Sequence, residues 1–163
     1  MRNIYIIHGF MGSNIENWFP WFKKQTDSAS SLCIIPQFPI ELDKHNYNEW
    51  KKLLDVYYKD YNMINNDSIM IGHSTGSICA LKYILQNKIK IDKLILVSGF
   101  NNYLAPDEND IHNKINPTYY VDENEIKLPN IECLFTTEEE IGMNGARSFN
   151  YSDIEAKYLI NLD

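Results

Sequence analysis

The chain has 163 residues, of which 44% are hydrophobic and 23% charged. These values are typical of one globular domain covering residues 1–163 and exclude a disordered or fibrous chain. The formal net charge is −7, and because an acidic surface repels phosphate backbones, nucleic acid is not expected as a partner. No apolar run reaches the ~20 residues of a membrane span, so no membrane association is expected either.

Cysteine usage and the N-terminus indicate a reducing compartment. Cys33, Cys79 and Cys133 lie far apart in apolar runs, a spacing that fits neither a disulfide framework nor a zinc site and predicts reduced core thiols. The chain begins directly with a short apolar run and lacks the pattern of a secretory signal. We therefore expect a cytoplasmic protein. Without metal-ligand spacing or a phosphate-binding glycine loop, no metal or other cofactor is expected.

Short apolar runs alternate with longer amphipathic segments, which is typical of an α/β fold with a mostly parallel sheet. The predicted strands are the dense apolar runs Ile4–Ile7, Leu32–Ile35, Ser68–Ile71, Leu94–Val97 and Ile131–Phe135. The predicted helices are Trp18–Thr26, Tyr47–Tyr58 and Ser77–Gln86. Strands this apolar are expected to be covered by helices on both faces, which gives a three-layer sandwich.

The segment 101–130 differs from the rest of the chain. It is polar, acidic and interrupted by three prolines, and it is too long for an ordinary connection. In an open α/β sheet such a segment lies beyond the carboxyl ends of the strands, where ligands bind. It is therefore either a lid that contacts substrate, through Tyr119 and Tyr120, or a disordered surface loop.

One strand-to-helix junction carries a pattern with chemical meaning. Gly72-His73-Ser74-Thr75-Gly76 matches Gly-x-Ser-x-Gly, in which a serine sits on a tight turn and its neighbours must be small to avoid backbone collisions. The start of the following helix favours negative charge at that serine. Ser74 is therefore the candidate nucleophile, and the strand before it and the amphipathic helix after it argue against a chance match.

The first predicted strand ends in a second glycine-containing loop, His8-Gly9-Phe10-Met11-Gly12-Ser13. Acyl transfer requires two backbone N–H donors directed at the developing oxyanion. We expect the amide of Thr75 to be one donor of this oxyanion hole, and that of Phe10 or its neighbour Met11 to be the other. The alternative is that the loop is an ordinary turn.

Several stretches extend this picture in chain order up to about residue 100. They are Tyr5-Ile6-Ile7-His8-Gly9, Asn17-Trp18-Phe19-Pro20-Trp21-Phe22-Lys23-Lys24, Pro36-Gln37-Phe38-Pro39, Glu49-Trp50, the Ser74 motif and Leu94-Ile95-Leu96-Val97-Ser98-Gly99-Phe100. With them the sequence resembles the small serine hydrolases of the YdeN and retinoblastoma-binding-protein-9 type, compact members of the α/β-hydrolase fold. The resemblance implies hydrolysis of small acyl substrates, with carboxylic esters as the expected class.

The resemblance also implies where the catalytic acid lies. The triad of this fold runs in the order serine, acid, histidine, so the acid should follow the strand Ile131–Phe135. The family has adjacent aspartates at the positions of Glu138 and Glu139, and Glu139 is the better match, with Glu138 second. Glutamate is an accepted acid in such triads. The other interpretation is a solvated run of three glutamates, 138–140.

No histidine follows this acid, although a serine hydroxyl needs an adjacent base. The four histidines are His8, His45, His73 and His112. We expect His8 and His73 to be structural; His45 precedes a helix, and His112 lies in the segment 101–130, from which it could approach the pocket. The resemblance favours a shortened or degenerate hydrolase, since Ala156–Asn161 matches the family's last strand and the histidine loop and closing helix would follow it.

Two functions therefore stay open. One is a serine hydrolase whose triad is incomplete in this chain, with correspondingly low activity. The other is a catalytically inactive hydrolase-fold protein that serves as a binding or interaction module, because folds are reused for many functions. Loss of the closing helix would uncover one sheet edge and favour association with another chain, which makes a homo-oligomer an expected partner state.

Overall fold

A parallel β-sheet forms the centre of the molecule. The computed structural model describes residues 1–99 and 109–122, together with the backbone of one later strand. The strands are β1 (Arg2–Ile7), β2 (Ser31–Ile34), β3 (Ile69–His73), β4 (Lys93–Val97) and β5 (Leu159–Ile160). They are all parallel, in the order β2-β1-β3-β4-β5. This order brings the ends of β1 and β3 side by side, with Ile7 opposite Gly72.

Four α-helices lie in the described residues: α1 (Phe19–Thr26), α2 (Tyr47–Asp55), α3 (Thr75–Asn87) and α4 (Ile111–Ile115). α2 continues as a π-helical turn, Val56–Asp60, and α4 continues as a 3₁₀ turn, Asn116–Thr118. The predicted helix Tyr47–Tyr58 is thus α-helical only as far as Asp55. None of the helices in residues 1–99 and 109–122 has the length and apolar character of a membrane-spanning segment.

Alternating side chains of β1 show how the layers form. Tyr5 and Ile7 point into the larger core, which α2 and α3 cover. Ile4 and Ile6 point into the smaller core, which Phe19 of α1 covers from the opposite face of the sheet. Because successive strand residues face opposite sides, one apolar run supplies both cores. The predicted three-layer α/β arrangement with a parallel sheet is confirmed.

Most predicted elements occur within one or two residues of their expected bounds. The strand Ile131–Phe135 lies outside the described residues, whereas β5 falls within the expected last strand Ala156–Asn161. Cys33 and Cys79 are buried free thiols, as predicted. Cys133 lies outside the described residues.

Residues 109–122 fold against α2 and α3 as part of the core. Tyr119 is fully buried, and its ring centroid lies 5.2 Å from that of Trp50 in an edge-on contact. Lys82 of α3 donates hydrogen bonds to the carbonyl oxygens of Thr118 and Tyr120, at 2.8 and 2.9 Å. Tyr119 is thus a core residue because its ring fills the space beside Trp50. The expectation that Tyr119 contacts substrate is therefore wrong. The alternative, a disordered surface loop, is also wrong for residues 109–122.

Trp50 should be the main single contributor to this core. The side chain is fully buried, and its Nε1–H donates to the carbonyl oxygen of Pro39 at 2.9 Å. We expect Trp50→Ala to lower the free energy of unfolding by about 3–5 kcal/mol, because it leaves a cavity and an unpaired carbonyl group. Urea unfolding followed by circular dichroism measures the loss.

The matched control is Trp21→Ala, since Trp21 is 63% exposed. It should change the free energy of unfolding by no more than about 0.5 kcal/mol. Equal losses in the two variants would contradict the packing described for Trp50.

Candidate active site

Ser74 occupies the turn between β3 and α3. Its backbone has φ 53° and ψ −124°, a conformation that is strained for any residue with a Cβ. Its amide donates to the carbonyl oxygen of Val97 at 2.9 Å, and its own carbonyl oxygen accepts from the amide of Ser77 at 2.8 Å. β4 and the first turn of α3 therefore hold the strained residue in place, and its side chain is half-buried.

The two glycines of the motif allow the turn to form. A Cβ on Gly76 would lie 2.2 Å from the carbonyl oxygen of Ile7 and 2.5 Å from that of His8. A Cβ on Gly72 would lie 2.4 Å from the Cα of Ser77. Each of these atoms belongs to backbone that cannot move freely, so only glycine fits. The start of α3 consequently touches the end of β1 directly.

This contact brings the predicted oxyanion loop beside Ser74. A Cβ built on Gly9 would lie 3.0 Å from the Cβ of Ser74, so the loop passes the serine at van der Waals distance. The Met11 amide is directed at His45 Nε2, 3.4 Å away. Of the two amides predicted as second oxyanion donor, that of Met11 is thus engaged elsewhere, which favours Phe10.

Thr75 is the first residue of α3, so its amide is one of those that have no acceptor within the helix. The residue is fully buried. Its hydroxyl donates to Oδ1 of Asn116 at 3.2 Å, which ties the 3₁₀ turn after α4 to the residue next to Ser74. Sequence reasoning did not foresee this link, because nothing in the polar segment 101–130 marks Asn116 as a partner.

His8 is structural, as expected. The Phe38 amide donates to Nε2 at 3.0 Å. Because Nε2 is an acceptor there, Nδ1 carries the hydrogen and donates to the Gly9 carbonyl oxygen at 2.9 Å. Burial is the main cause that lowers the pKa of His8. The neutral ring fixes the loop that follows β1.

Two other histidines are also held in packed surroundings. His45 is 1% exposed, and burial lowers its pKa to about 4, with smaller contributions from the charges of His8 and His112. The ring of His73 packs edge-on against Trp18 and Phe19, with centroids 6.4 and 5.8 Å apart. His73 therefore packs on the α1 side of the sheet.

His112 has a different environment. Its Nδ1 lies 2.8 Å from Oδ1 of Asp110, and the two side chains are 39% and 36% exposed. Its ring packs on that of Phe10, with centroids 4.2 Å apart. The same carboxylate accepts the His112 backbone amide at 2.8 Å and so caps α4. The structure thus brings a histidine–carboxylate pair to the loop beside Ser74.

The remaining predicted site residues are not tested by the structure. Glu138 and Glu139 lie outside the described residues, and the assignment of an acid to them stays a prediction. Within residues 1–99 and 109–122, no three histidine, cysteine or acidic side chains are grouped so that they could hold a metal ion.

A parallel sheet in which a central strand runs through a strained, glycine-flanked serine into a helix defines an α/β-hydrolase fold. The sequence model of the family described as "Serine hydrolase" matches residues 4–138. The chain therefore belongs to the serine hydrolase family.

Several known proteins are similar to this chain in sequence or in fold. The Bacillus subtilis (strain 168) protein YdeN is 30% identical over 101 residues, which are 61% of this chain and 51% of YdeN. The crystal structure of the B. subtilis ydeN gene product has a TM-score of 0.55 at 25% identity and covers 64% of this chain and 55% of its own. An extracellular α/β-hydrolase from a Paenibacillus species has a TM-score of 0.51 at 15% identity, with coverages of 63% and 43%. The chain spans about half the length of these relatives.

The contact between α3 and β1 predicts a strong effect of a single methyl group. We expect Gly76→Ala to lower the free energy of unfolding by about 1–3 kcal/mol or more, because the new Cβ would overlap the Ile7 carbonyl oxygen. Gly99→Ala is the matched control, since its Cβ would lie 3.2 Å from the Cβ of Ser77, a side-chain atom. Thermal unfolding compares the two variants, and a larger loss for Gly99→Ala would contradict the contact.

The buried histidines predict a stability that depends on pH. The pKa of His45 is about 4 in the folded chain and about 6.5 when unfolded. Between these values the unfolded chain binds a proton that the folded chain does not. Stability is therefore fully present above about pH 6.5 and declines toward pH 4, by up to about 1.4 kcal/mol per pH unit for each such histidine.

Urea unfolding at a series of pH values measures this decline. His45→Gln should show a smaller slope than the unmodified chain, because one of the differentially protonated groups is gone. The lowered pKa of His8 leaves part of the slope in place. Identical slopes in the two proteins would rule out His45 as a source of the pH dependence.

Proposed function

We propose that this protein is a serine hydrolase that acts on small acyl substrates, with carboxylic esters as the substrate class. Ser74 is the nucleophile, and the backbone amides of Thr75 and Phe10 form the oxyanion hole. The observation that carries the proposal is the conformation of Ser74: φ 53° and ψ −124° at the junction of β3 and α3. Residues whose surroundings hold them in such strained backbone conformations cluster at active sites.

The surroundings of Ser74 support the chemistry. The serine is half-buried and directly follows the end of a strand, so part of it is open to solvent. α3 begins at the next residue, so its first amides and its dipole favour a developing negative charge. The Gly9–Phe10 loop passes close to Ser74, and the engagement of Met11 with His45 favours the Phe10 amide as the proposed second donor.

The reaction proceeds in two half-reactions. Ser74 Oγ attacks the acyl carbon and loses its proton to a base, while the carbonyl electrons move to the oxygen that the two amides stabilise. The C–O bond to the leaving group then breaks, and the alkoxide takes up the proton. Water attacks the acyl-enzyme in the same way and releases the acid. An ester is the expected substrate because an alkoxide leaves more easily than an amine.

The acid of the triad is Glu139, with Glu138 as second choice, by the resemblance of the stretch after residue 135 to the family. That assignment rests on sequence similarity, since both residues lie outside the described part of the chain.

Covalent labelling tests the nucleophile. A fluorophosphonate probe should label the full chain at Ser74, and Ser74→Ala should abolish both labelling and hydrolysis of a short-chain p-nitrophenyl ester. Ser13→Ala is the matched control, because Ser13 is a half-buried serine of the neighbouring loop, and it should keep the labelling. Mass spectrometry of the labelled peptide identifies the site.

The same experiment separates the enzyme from a hydrolase-fold protein that only binds. A chain that binds without catalysis leaves Ser74 unlabelled between about pH 6 and 9, the range in which a histidine base works. Labelling at another serine, or labelling that survives in Ser74→Ala, would also contradict the proposed nucleophile.

A further inference from the structure

The first turn of α3 is held by hydrogen bonds from two parts of the molecule. From the sheet, the carbonyl oxygen of Gly72 in β3 accepts the Ser77 hydroxyl at 2.8 Å. From the segment 109–122, Oδ1 of Asn116 accepts the Thr75 hydroxyl at 3.2 Å. The turn that carries the candidate nucleophile is therefore attached both to the sheet and to this later segment.

The hydrogen bond between Thr75 and Asn116 is completely buried. Both residues are 0% exposed, so water does not compete for either side chain. The bond joins residues that are 41 positions apart in the chain. In a buried environment a hydrogen bond is stronger than at the surface, and leaving one partner unpaired is unfavourable. The bond therefore restricts the position of both side chains.

Asn116 is itself held in place by the fold. It directly follows α4, and its carbonyl oxygen accepts the Tyr119 amide at 2.8 Å. Tyr119 is buried against Trp50, with ring centroids 5.2 Å apart. Lys82 of α3 donates to the carbonyl oxygen of Thr118 at 2.8 Å. A side chain with packed and hydrogen-bonded supports can keep a functional group in a narrow range of positions.

The side chain of Thr75 is directly connected to the amide proposed as the first oxyanion donor. Thr75 is the first residue of α3, so its amide has no acceptor within the helix. Only Cβ and Cα separate the hydroxyl oxygen from the backbone nitrogen, and rotation about the bond between them is restricted in a β-branched residue. A hydrogen bond that fixes the hydroxyl therefore also limits the direction in which the amide points.

The segment 109–122 also contacts the residue that carries the second proposed donor. The His112 ring packs on the ring of Phe10, with centroids 4.2 Å apart. A Cβ on Gly9, the residue before Phe10, would lie 3.0 Å from the Cβ of Ser74. The segment is thus in contact with both residues whose amides are proposed to form the oxyanion hole.

We infer that Asn116 is a positioning residue for the oxyanion hole. Its hydrogen bond to the Thr75 hydroxyl holds the Thr75 amide in the direction that meets the developing negative charge. This inference rests on the proposed function. Because its side chain is fully buried, Asn116 acts through Thr75 and not on the substrate itself.

Removal of either partner tests the inference in the full chain. Thr75→Val keeps the β-branched shape and removes the hydroxyl, whereas Asn116→Ala removes the acceptor. Each variant should slow fluorophosphonate labelling of Ser74, and lower kcat for a p-nitrophenyl ester, by about 10-fold to 100-fold, the effect of a small displacement of a positioned group. KM should stay nearly unchanged, because the amide acts on the charge of the transition state.

Thr118→Val is the matched control, because Thr118 lies in the same 3₁₀ turn as Asn116. Its hydroxyl accepts the Tyr47 amide of α2 at 3.2 Å, so the substitution removes a hydrogen bond between this turn and a different helix. We expect Thr118→Val to unfold at a lower urea concentration and to keep the labelling rate and kcat. A purely structural role of Asn116 would make Asn116→Ala behave in the same way.

Two further measurements identify the oxyanion hole as the affected part. The double variant Thr75→Val/Asn116→Ala should be no slower than the slower single variant, because both substitutions break the same hydrogen bond. A trifluoromethyl ketone forms a tetrahedral adduct with the serine, and its negative oxygen occupies the same place as that of the transition state. Its affinity should therefore fall by about the same factor as kcat/KM.

The outcomes separate this inference from the function on which it rests. If Ser74 of the unmodified chain is not labelled, the proposed function fails, and the inference fails with it. If Ser74 is labelled and Thr75→Val reacts as fast as Thr118→Val, the function stands and the inference is overturned. Thr75→Val decides the question even where Asn116→Ala does not fold, since valine and threonine have nearly the same volume. Losses that multiply in the double variant would also contradict the inference.

Discussion

The site depends on one backbone contact, where the first turn of α3 meets the carbonyl oxygens at the end of β1. No side chain fits at Gly76, because a Cβ there would lie 2.2 Å from the Ile7 oxygen. This close approach sets the distance between Ser74 and the Gly9–Phe10 loop, the two elements that an acyl-transfer site must bring together. Glycine accommodates this contact, whereas any other residue at position 76 would destabilise the fold through steric overlap. A short motif can therefore determine the geometry of the whole site.

The histidines show how one side-chain type can occupy very different environments. His8 and His45 are uncharged parts of the scaffold: burial lowers the pKa of each, and their ring nitrogens accept the amides of Phe38 and Met11. His112 lies near solvent and is bonded to a carboxylate. Environment, and not residue type, therefore decides whether an imidazole is a buried neutral acceptor or a partly exposed donor to a carboxylate.

Much of the fold was predictable because parallel strands buried on both faces are dense apolar runs, such as the one that ends at Ile7. The turn at Ser74 was predictable because close backbone contacts leave room only for glycine at positions 72 and 76. The pair Asp110–His112 was not, since two polar residues in a proline-interrupted segment show no periodicity. The burial of Tyr119 was not predicted for a related reason. Its partners Trp50 and Tyr47 lie about 70 residues earlier in the chain, and the sequence around Tyr119 does not indicate such distant contacts.

The φ of 53° at Ser74 has a consequence for the stability of the fold. A glycine would adopt this backbone without strain, whereas serine there costs on the order of 1–3 kcal/mol. Ser74→Gly would therefore relieve backbone strain while it removes the hydroxymethyl group. At this turn, the conformation that places a hydroxyl at the start of α3 and the conformational preference of the backbone are opposed.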